Sequence, residues 1–305
     1  MSLAPWADAF VLVFGLLALG ALLRRRLLPD DAVWAGIERL VFWVLLPCLV
    51  ASALSSVSFG DLPVFGMAAA LWTALAIGTA ISVALARALG HGHAAMTSVL
   101  QGGIRFNNLM GFAIGGAIWG VPGLAYAAVA TGLIVPFVQA VATVAFALGR
   151  GSAVRPVALL RQVLLNPLIL GCAAGFAIGT LGGLPPGLQP AVRSLGQASV
   201  ALGLLCVGAA LTLRGLGDRP GTQAATAALK LVAMPALTWA LCSAIGLGPT
   251  ATAIAVLFMA LPTAATSYVM ARAMGGDARL MAAITTSEHL ASIATLPVWV
   301  WLLTR

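Results

Sequence analysis

Runs of about twenty apolar residues recur from one end of this 305-residue chain to the other. In hydrocarbon every backbone N–H and C=O must be satisfied within the protein, so such runs are restricted to helices or closed barrels. Unbroken apolar runs without period-two alternation are read as helices. About ten runs can be counted, near 8–23, 33–54, 65–87, 94–118, 123–148, 157–181, 190–213, 224–245, 250–273 and 278–303. No polar domain or long linker intervenes, so one membrane unit is expected. Charged residues make up 8% of the chain and hydrophobic ones 61%, whereas a water-soluble domain carries about 25% charge. The expected fold class is therefore an all-α integral membrane protein with ten transmembrane helices.

The net charge of +8 is dispersed between apolar runs rather than gathered into a phosphate-binding patch, so the partner is a lipid bilayer and not nucleic acid. Alternate loops separate by charge. Arg24, Arg25, Arg26, Arg87, Arg150, Arg155, Arg214, Arg219, Arg272 and Arg279 fall in one set, while the loops near Asp61, Val121, Leu184 and Gly246 hold almost no basic residues. The positive-inside rule places the first set in the cytoplasm and both termini on the non-cytoplasmic side of the cell (inner) membrane. The basic cluster follows the first apolar run, which predicts a retained span rather than a cleaved signal peptide. Cys48, Cys172, Cys206 and Cys242 all stand inside apolar runs without a CxxC pair, and read as small hydrophobes.

The connection between the fifth and sixth runs lies inside, which divides the chain into residues 1–150 and 151–305 with five spans each. An odd number of spans forces the second set to insert upside down, the inverted-repeat plan. Overlaying Gly120 on Gly276 places Asn107 on Thr263, Gly111 on Ser267, and Phe106 beside Pro262.

The same overlay pairs two polar, interrupted stretches, QGGIRFNNLMGFAIGGAIWG at 101–120 and LFMALPTAATSYVMARAMGG at 257–276. Breaks at corresponding positions of two halves are the sequence pointer to a secondary transporter's binding site. In span nine Pro262 removes an N–H and clashes with the preceding turn, and Thr263, Thr266 and Ser267 offer hydroxyls for what is freed. In span four the opening is expected at Asn107, Asn108 and Gly111, with Gly115 and Gly116 assisting. These residues, with Arg105, form the expected substrate site. Arg105 sits near the middle of span four, where its fixed charge and planar donors suit a carboxylate; a structural ion pair with Glu288 is the bland alternative.

Glu288 and His289 interrupt span ten and are the candidate coupling-ion residues, because both groups exchange protons. A polar helix–helix contact is the alternative. The HGH at 91–93 has no further ligands nearby, so no metal is expected. Asn166-Pro167 with Gly171, Gly175 and Gly179 reads as a kink and a close helix contact. Pro47, Asp8 and Lys230 are likewise assigned to a kink and to interface charges, with Lys230 near the inner end of span eight.

IRFNN at 104–108 with the following glycines and WG-x-x-G, LLNP at 164–167, VGAAL at 207–211 and TLPVW at 295–299 occur in an order and spacing that resemble the auxin efflux carrier family. That family includes bacterial malate and malonate permeases and the plant PIN carriers. The resemblance implies two inverted five-helix repeats with a scaffold region and a transport region, and spans four and nine broken and crossing near the midplane. It also implies alternating-access carriage of small organic anions such as malate, malonate or auxin-like acids. The crossover carries over to Asn107, Asn108 and Gly111, and to Pro262 and Thr263. Gly111-Phe112-Ala113 replaces a proline that many relatives have, and Glu288 stands where many are uncharged. Dimers occur in the family, so a homodimer is compatible with the resemblance.

A proton is the expected coupling ion. The rival is a sodium-coupled organic anion symporter of the bile-acid type, in which Asn107, Asn108, Thr263 and freed carbonyls also hold sodium. An intramembrane enzyme is the remote alternative. The chain has no HExxH, and Glu288 with His289, adjacent on one helix, is its sole candidate acid–base pair. A channel fits a lone arginine and asymmetric breaks less well than a carrier does. No cofactor is required by this reading.

Overall fold

The computed structural model describes residues 4–56, 62–149, 151, 156–185, 187–213 and 215–305, with side chains from residue 7. Arg150, Arg155, Arg214 and Asp61, four of the expected loop markers, lie outside the described residues. Every described element is a helix. They are α1 (Ala4–Arg26), α2 (Asp31–Ser55), α3 (Val64–Ala88), α4 (His93–Ile104), α5 (Asn108–Gly149) and α6 (Pro156–Leu164). There follow α7 (Pro167–Thr180), α8 (Leu188–Ala210), α9 (Pro220–Ile245), α10 (Pro249–Ala260), α11 (Thr266–Met274) and α12 (Ala278–Leu303).

Among the described residues, six helical stretches are long and apolar enough to cross a bilayer, or seven when α6 and α7, bent by 53°, count as one span. That is fewer than the apolar runs of the sequence, and the difference lies in how the helices break. The stretch His93–Gly149 counts once at 57 residues, although α4 ends at Ile104 and α5 turns at Gly120. A straight 42-residue α5 would run about 60 Å, twice the hydrocarbon thickness. Gly120 divides it by adopting φ 62° and ψ −143°. α10 and α11 are separated by 261–265 and each is short. α12 is long enough, but carries Arg279, Glu288, His289 and several hydroxyls. Large apolar side chains are widely exposed, Val11 at 71% and Phe65 at 89% among them, which suits a lipid-facing surface in a multi-pass membrane protein.

The chain gathers into two compact units, each assembled from three separate stretches of the sequence. The first comprises 1–64, 109–132 and 164–210. Here α1 packs on α8, and the second half of α2 packs on α7 and α8. Small residues set these distances. A Cβ on Gly175 would stand 2.8 Å from the Ala51 carbonyl oxygen, and one on Gly171 3.0 Å from Pro47 backbone. Asn166 caps α7 by accepting from Leu168 N at 2.9 Å, with Pro167 in the first turn where a missing N–H costs nothing. Expected as a kink, this dipeptide forms the bend between α6 and α7.

The second unit comprises 65–108, 133–163 and 211–305. In it α12 packs against α4, α9, α10 and α11. Ala95, Val99, Ala271, Leu280, Met281 and Ile284 form part of a buried apolar cluster. Asp277 ties one end together. It caps α12 by accepting from Leu280 N at 3.0 Å, pairs with Arg219 at 3.0 Å, and its backbone carbonyl accepts from the Ser98 hydroxyl at 2.9 Å. His91 and His93 are also structural, bonding Thr222 Oγ1 and the Ala145 carbonyl, each at 2.8 Å. Among the described residues no group of three metal-ligating side chains forms. All four cysteines are free thiols, Cys206 and Cys242 buried and Cys48 and Cys172 half-buried.

Candidate functional site

Two helix breaks meet inside the second unit. α4 stops at Ile104 and α5 begins at Asn108, leaving 105–107 extended, while 261–265 separates α10 from α11. A broken helix leaves backbone groups to be satisfied from elsewhere, and each break supplies the other. Asn107 N donates to the Pro262 carbonyl at 2.8 Å. The Thr263 hydroxyl donates to the Gln101 carbonyl at 3.2 Å and contacts Ser267 Oγ at 3.2 Å. Thr263 N donates to Glu288 Oε2 at 2.8 Å. The matched geometry extends along the helices, since α4 and α10 each have 12 residues and coincide end to end when Gly120 overlies Gly276.

The opening between α4 and α5 precedes its expected place. Arg105 to Asn107 form the break, Asn108 already begins α5, and Gly111, Gly115 and Gly116 are inside the helix. The reason is that extended residues go where partners exist, and Pro262 and Thr263 stand opposite 101–107. Gly115 and Gly116 serve the turn at Gly120 instead. A Cβ on Gly116 would lie 2.8 Å from the Leu124 side chain, and one on Gly123 would meet the Gly115 carbonyl.

Arg105 is half-buried at the C-terminal end of α4. Its guanidinium donates to Gln101 Oε1 at 3.2 Å, to Thr266 Oγ1 at 3.2 Å and to Met270 Sδ at 3.0 Å. The expected alternative pair with Glu288 is not among the ion pairs of the described residues. The guanidinium thus spans the two breaks with neutral partners only and keeps its full charge for an anion. α11 begins directly after its break, where Ser267 N and Tyr268 N donate to the Ala264 and Ala265 carbonyls at 3.0 and 3.1 Å.

Glu288 and His289 are both buried, at 0% and 2% exposure, and turn to different neighbours. The His289 Nδ1–H donates to the Thr285 carbonyl at 2.7 Å, because a carbonyl can only accept. Nε2 then accepts from the Asn107 amide at 3.1 Å, which defines a neutral tautomer. Glu288 Oε2 holds Thr263 N, and Oε1 lies 3.2 Å from where a Cβ on Gly102 would stand. The same Cβ would stand 2.7 Å from the Ile284 and Thr226 side chains, so Gly102 permits the close packing beside the carboxylate.

Lys230 departs most from its expected place. Rather than reaching an interface, it is 0% exposed on a π-helical turn, Leu229–Ala233, inside α9. Its ammonium is in none of the ion pairs of the described residues. Gln101 is also fully buried beside the break. The sequence held a signal for Lys230, a lysine five residues before Pro235 in an apolar run, and π-turns often mark functional positions.

No curated protein matches the chain. A family model described as membrane transport protein matches residues 6–300. With nearly the whole chain covered, this protein belongs to the membrane transport protein family, the auxin efflux or PIN-like carriers.

Proposed function

We propose that this protein is a secondary active transporter of small organic anions, carboxylates such as malate, malonate or auxin-like acids, working by alternating access in the cell membrane. Arg105 carries the reading. It is a permanent cation at the meeting point of two helix breaks, it bonds only neutral groups, and planar guanidinium donors match a carboxylate. Asn107, Asn108, Gly111, Pro262, Thr263, Thr266 and Ser267 are the remaining substrate-site residues of this proposal, and Glu288 with His289 are its coupling residues. A ten-span plan of two inverted repeats, with both termini outside, accompanies it. The equal lengths and matching breaks of α4 and α10 support that plan.

The test is uptake of radiolabelled malonate and malate into proteoliposomes in sodium-free buffer, with and without an inward proton gradient. Wild type should take up label faster with the gradient. Hydrogen bonds to a charged group contribute about 1.5–3 kcal/mol, so Arg105→Gln should lower uptake efficiency about ten- to a hundredfold. Equal uptake by wild type and Arg105→Gln would remove Arg105 from the site.

A further inference from the structure

Among the described methionines, Met67, Met110, Met234, Met259 and Met281 are fully buried, while Met96, Met270 and Met274 are half-buried. Met270 stands against the cation of the crossover. Its Sδ accepts from Arg105 Nη1 at 3.0 Å. Thr266 and Met270 are four residues apart on α11 and so share one face of the helix, which meets the guanidinium from both positions. Nη2 donates to Thr266 Oγ1 at 3.2 Å, and Nη1 is divided between the thioether and Gln101 Oε1, also at 3.2 Å.

A thioether is a weak acceptor, so this contact leaves the guanidinium free to turn to a carboxylate. Oxidation reverses that. A peroxide transfers one oxygen to a sulfur lone pair: its O–O bond breaks, an S–O bond forms, sulfur loses two electrons, and the other oxygen leaves as water. The product is a sulfoxide, which is polar where the thioether was apolar. Its oxygen carries partial negative charge and bonds a cationic donor strongly. Beside Nη1 it would occupy the donor that a substrate carboxylate needs. Half-burial leaves Met270 within reach of a small oxidant, whereas burial shields the other five.

We infer that Met270 is an oxidation site that controls the anion site: its sulfoxide engages Arg105 and weakens substrate binding. This rests on the anion-carrier reading above and adds to it a regulation by peroxide. The sulfoxide is reducible by methionine sulfoxide reductases, one for each epimer, so the block is reversible.

Uptake of radiolabelled malonate and malate by the full-length protein in proteoliposomes tests this, before and after hydrogen peroxide, with peptide mass spectrometry locating the added oxygen. In oxidised wild type KM should rise about tenfold or more with Vmax little changed, since a hydrogen bond between charged groups is lost. Met270→Leu has similar size and no sulfur at this place. Its KM should be the same before and after treatment, although the other methionines and all four cysteines remain. Met270→Gln supplies a polar acceptor permanently and should show the raised KM without peroxide. An unchanged KM in wild type carrying the Met270 sulfoxide would overturn the inference. So would an equal rise in treated Met270→Leu, or a Met270 that stays unoxidised while Met96 and Met274 react.

Labelling of Arg105 by phenylglyoxal, also read by mass spectrometry, needs no substrate and separates the two ideas. Oxidation should slow it severalfold relative to the exposed Arg272 in wild type, and not in Met270→Leu. Slowed labelling in a protein that carries neither acid upholds the oxidation site and counts against the substrate class. Unslowed labelling of oxidised wild type overturns the inference, whether or not malonate and malate are carried.

Discussion

Trp299 donates its indole N–H to the Leu231 carbonyl at 2.8 Å. That carbonyl lies four residues before Pro235, which has no N–H to offer it. The tryptophan thus satisfies a group that the proline frees, one residue beyond the buried lysine. Trp299→Phe keeps the ring and loses the donor, so it should cost about 1–3 kcal/mol in thermal or denaturant unfolding. A variant as stable as wild type would show that the carbonyl finds another partner. At this scale Arg105, Glu288 and His289 were legible because polar groups deep in apolar runs have few innocent explanations. Lys230 was not. A lysine within reach of a span's end snorkels in most chains, and the π-turn on which it stands is announced by no periodicity of apolar residues.

Among the elements, the contact of α7 with α2 shows how glycines at one spacing differ in weight. Cβ atoms on Gly171 and Gly175 would press on backbone at 3.0 and 2.8 Å, whereas one on Gly179 would meet Ser55 at 3.6 Å, an ordinary contact. Backbone cannot swing aside as a side chain can. Gly175→Ala should therefore destabilise by about 1–3 kcal/mol and Gly179→Ala by less than about 0.5 kcal/mol, in unfolding of the purified protein. Equal losses at both sites would mean that helix propensity, not the close approach, decides. The break in span nine was legible from Pro262. Its counterpart was legible in existence and misplaced in position, since the glycines after Asn108 serve α5 and its turn at Gly120 while extended residues 105–107 answer to partners on another helix. Sequence reports the cost of opening a helix, but the partners that repay it are tertiary.

For the whole molecule, composition and run length were enough to give an all-helical membrane protein, because so little charge leaves no other solvent. The grouping into two units was not legible, since contacts between distant helices leave no local pattern. Topology remains the property most open to direct measurement. Charge-sorted loops predict both termini outside, so alkaline phosphatase fused after Arg305 should be active in whole cells and a cytoplasmic fluorescent reporter there should stay dark. A bright fluorescent fusion with inactive phosphatase would invert the topology and reverse the sides assigned to every loop.

The hydrogen bond from Asn107 to Pro262 also bears on how the chain is made. When α4 and the residues after it leave the ribosome, the backbone donor of Asn107 belongs to a carbonyl that has not yet been synthesised. A nascent chain with an opened helix in hydrocarbon is poorly soluble there, and the polar groups at 105–107 need shelter until 261–265 follows. The early helices should accordingly linger beside the insertion machinery, or in a watery recess of it, and be released only when the later ones arrive. Biogenesis of such a carrier is then a matter of waiting: the first half inserts early and matures late.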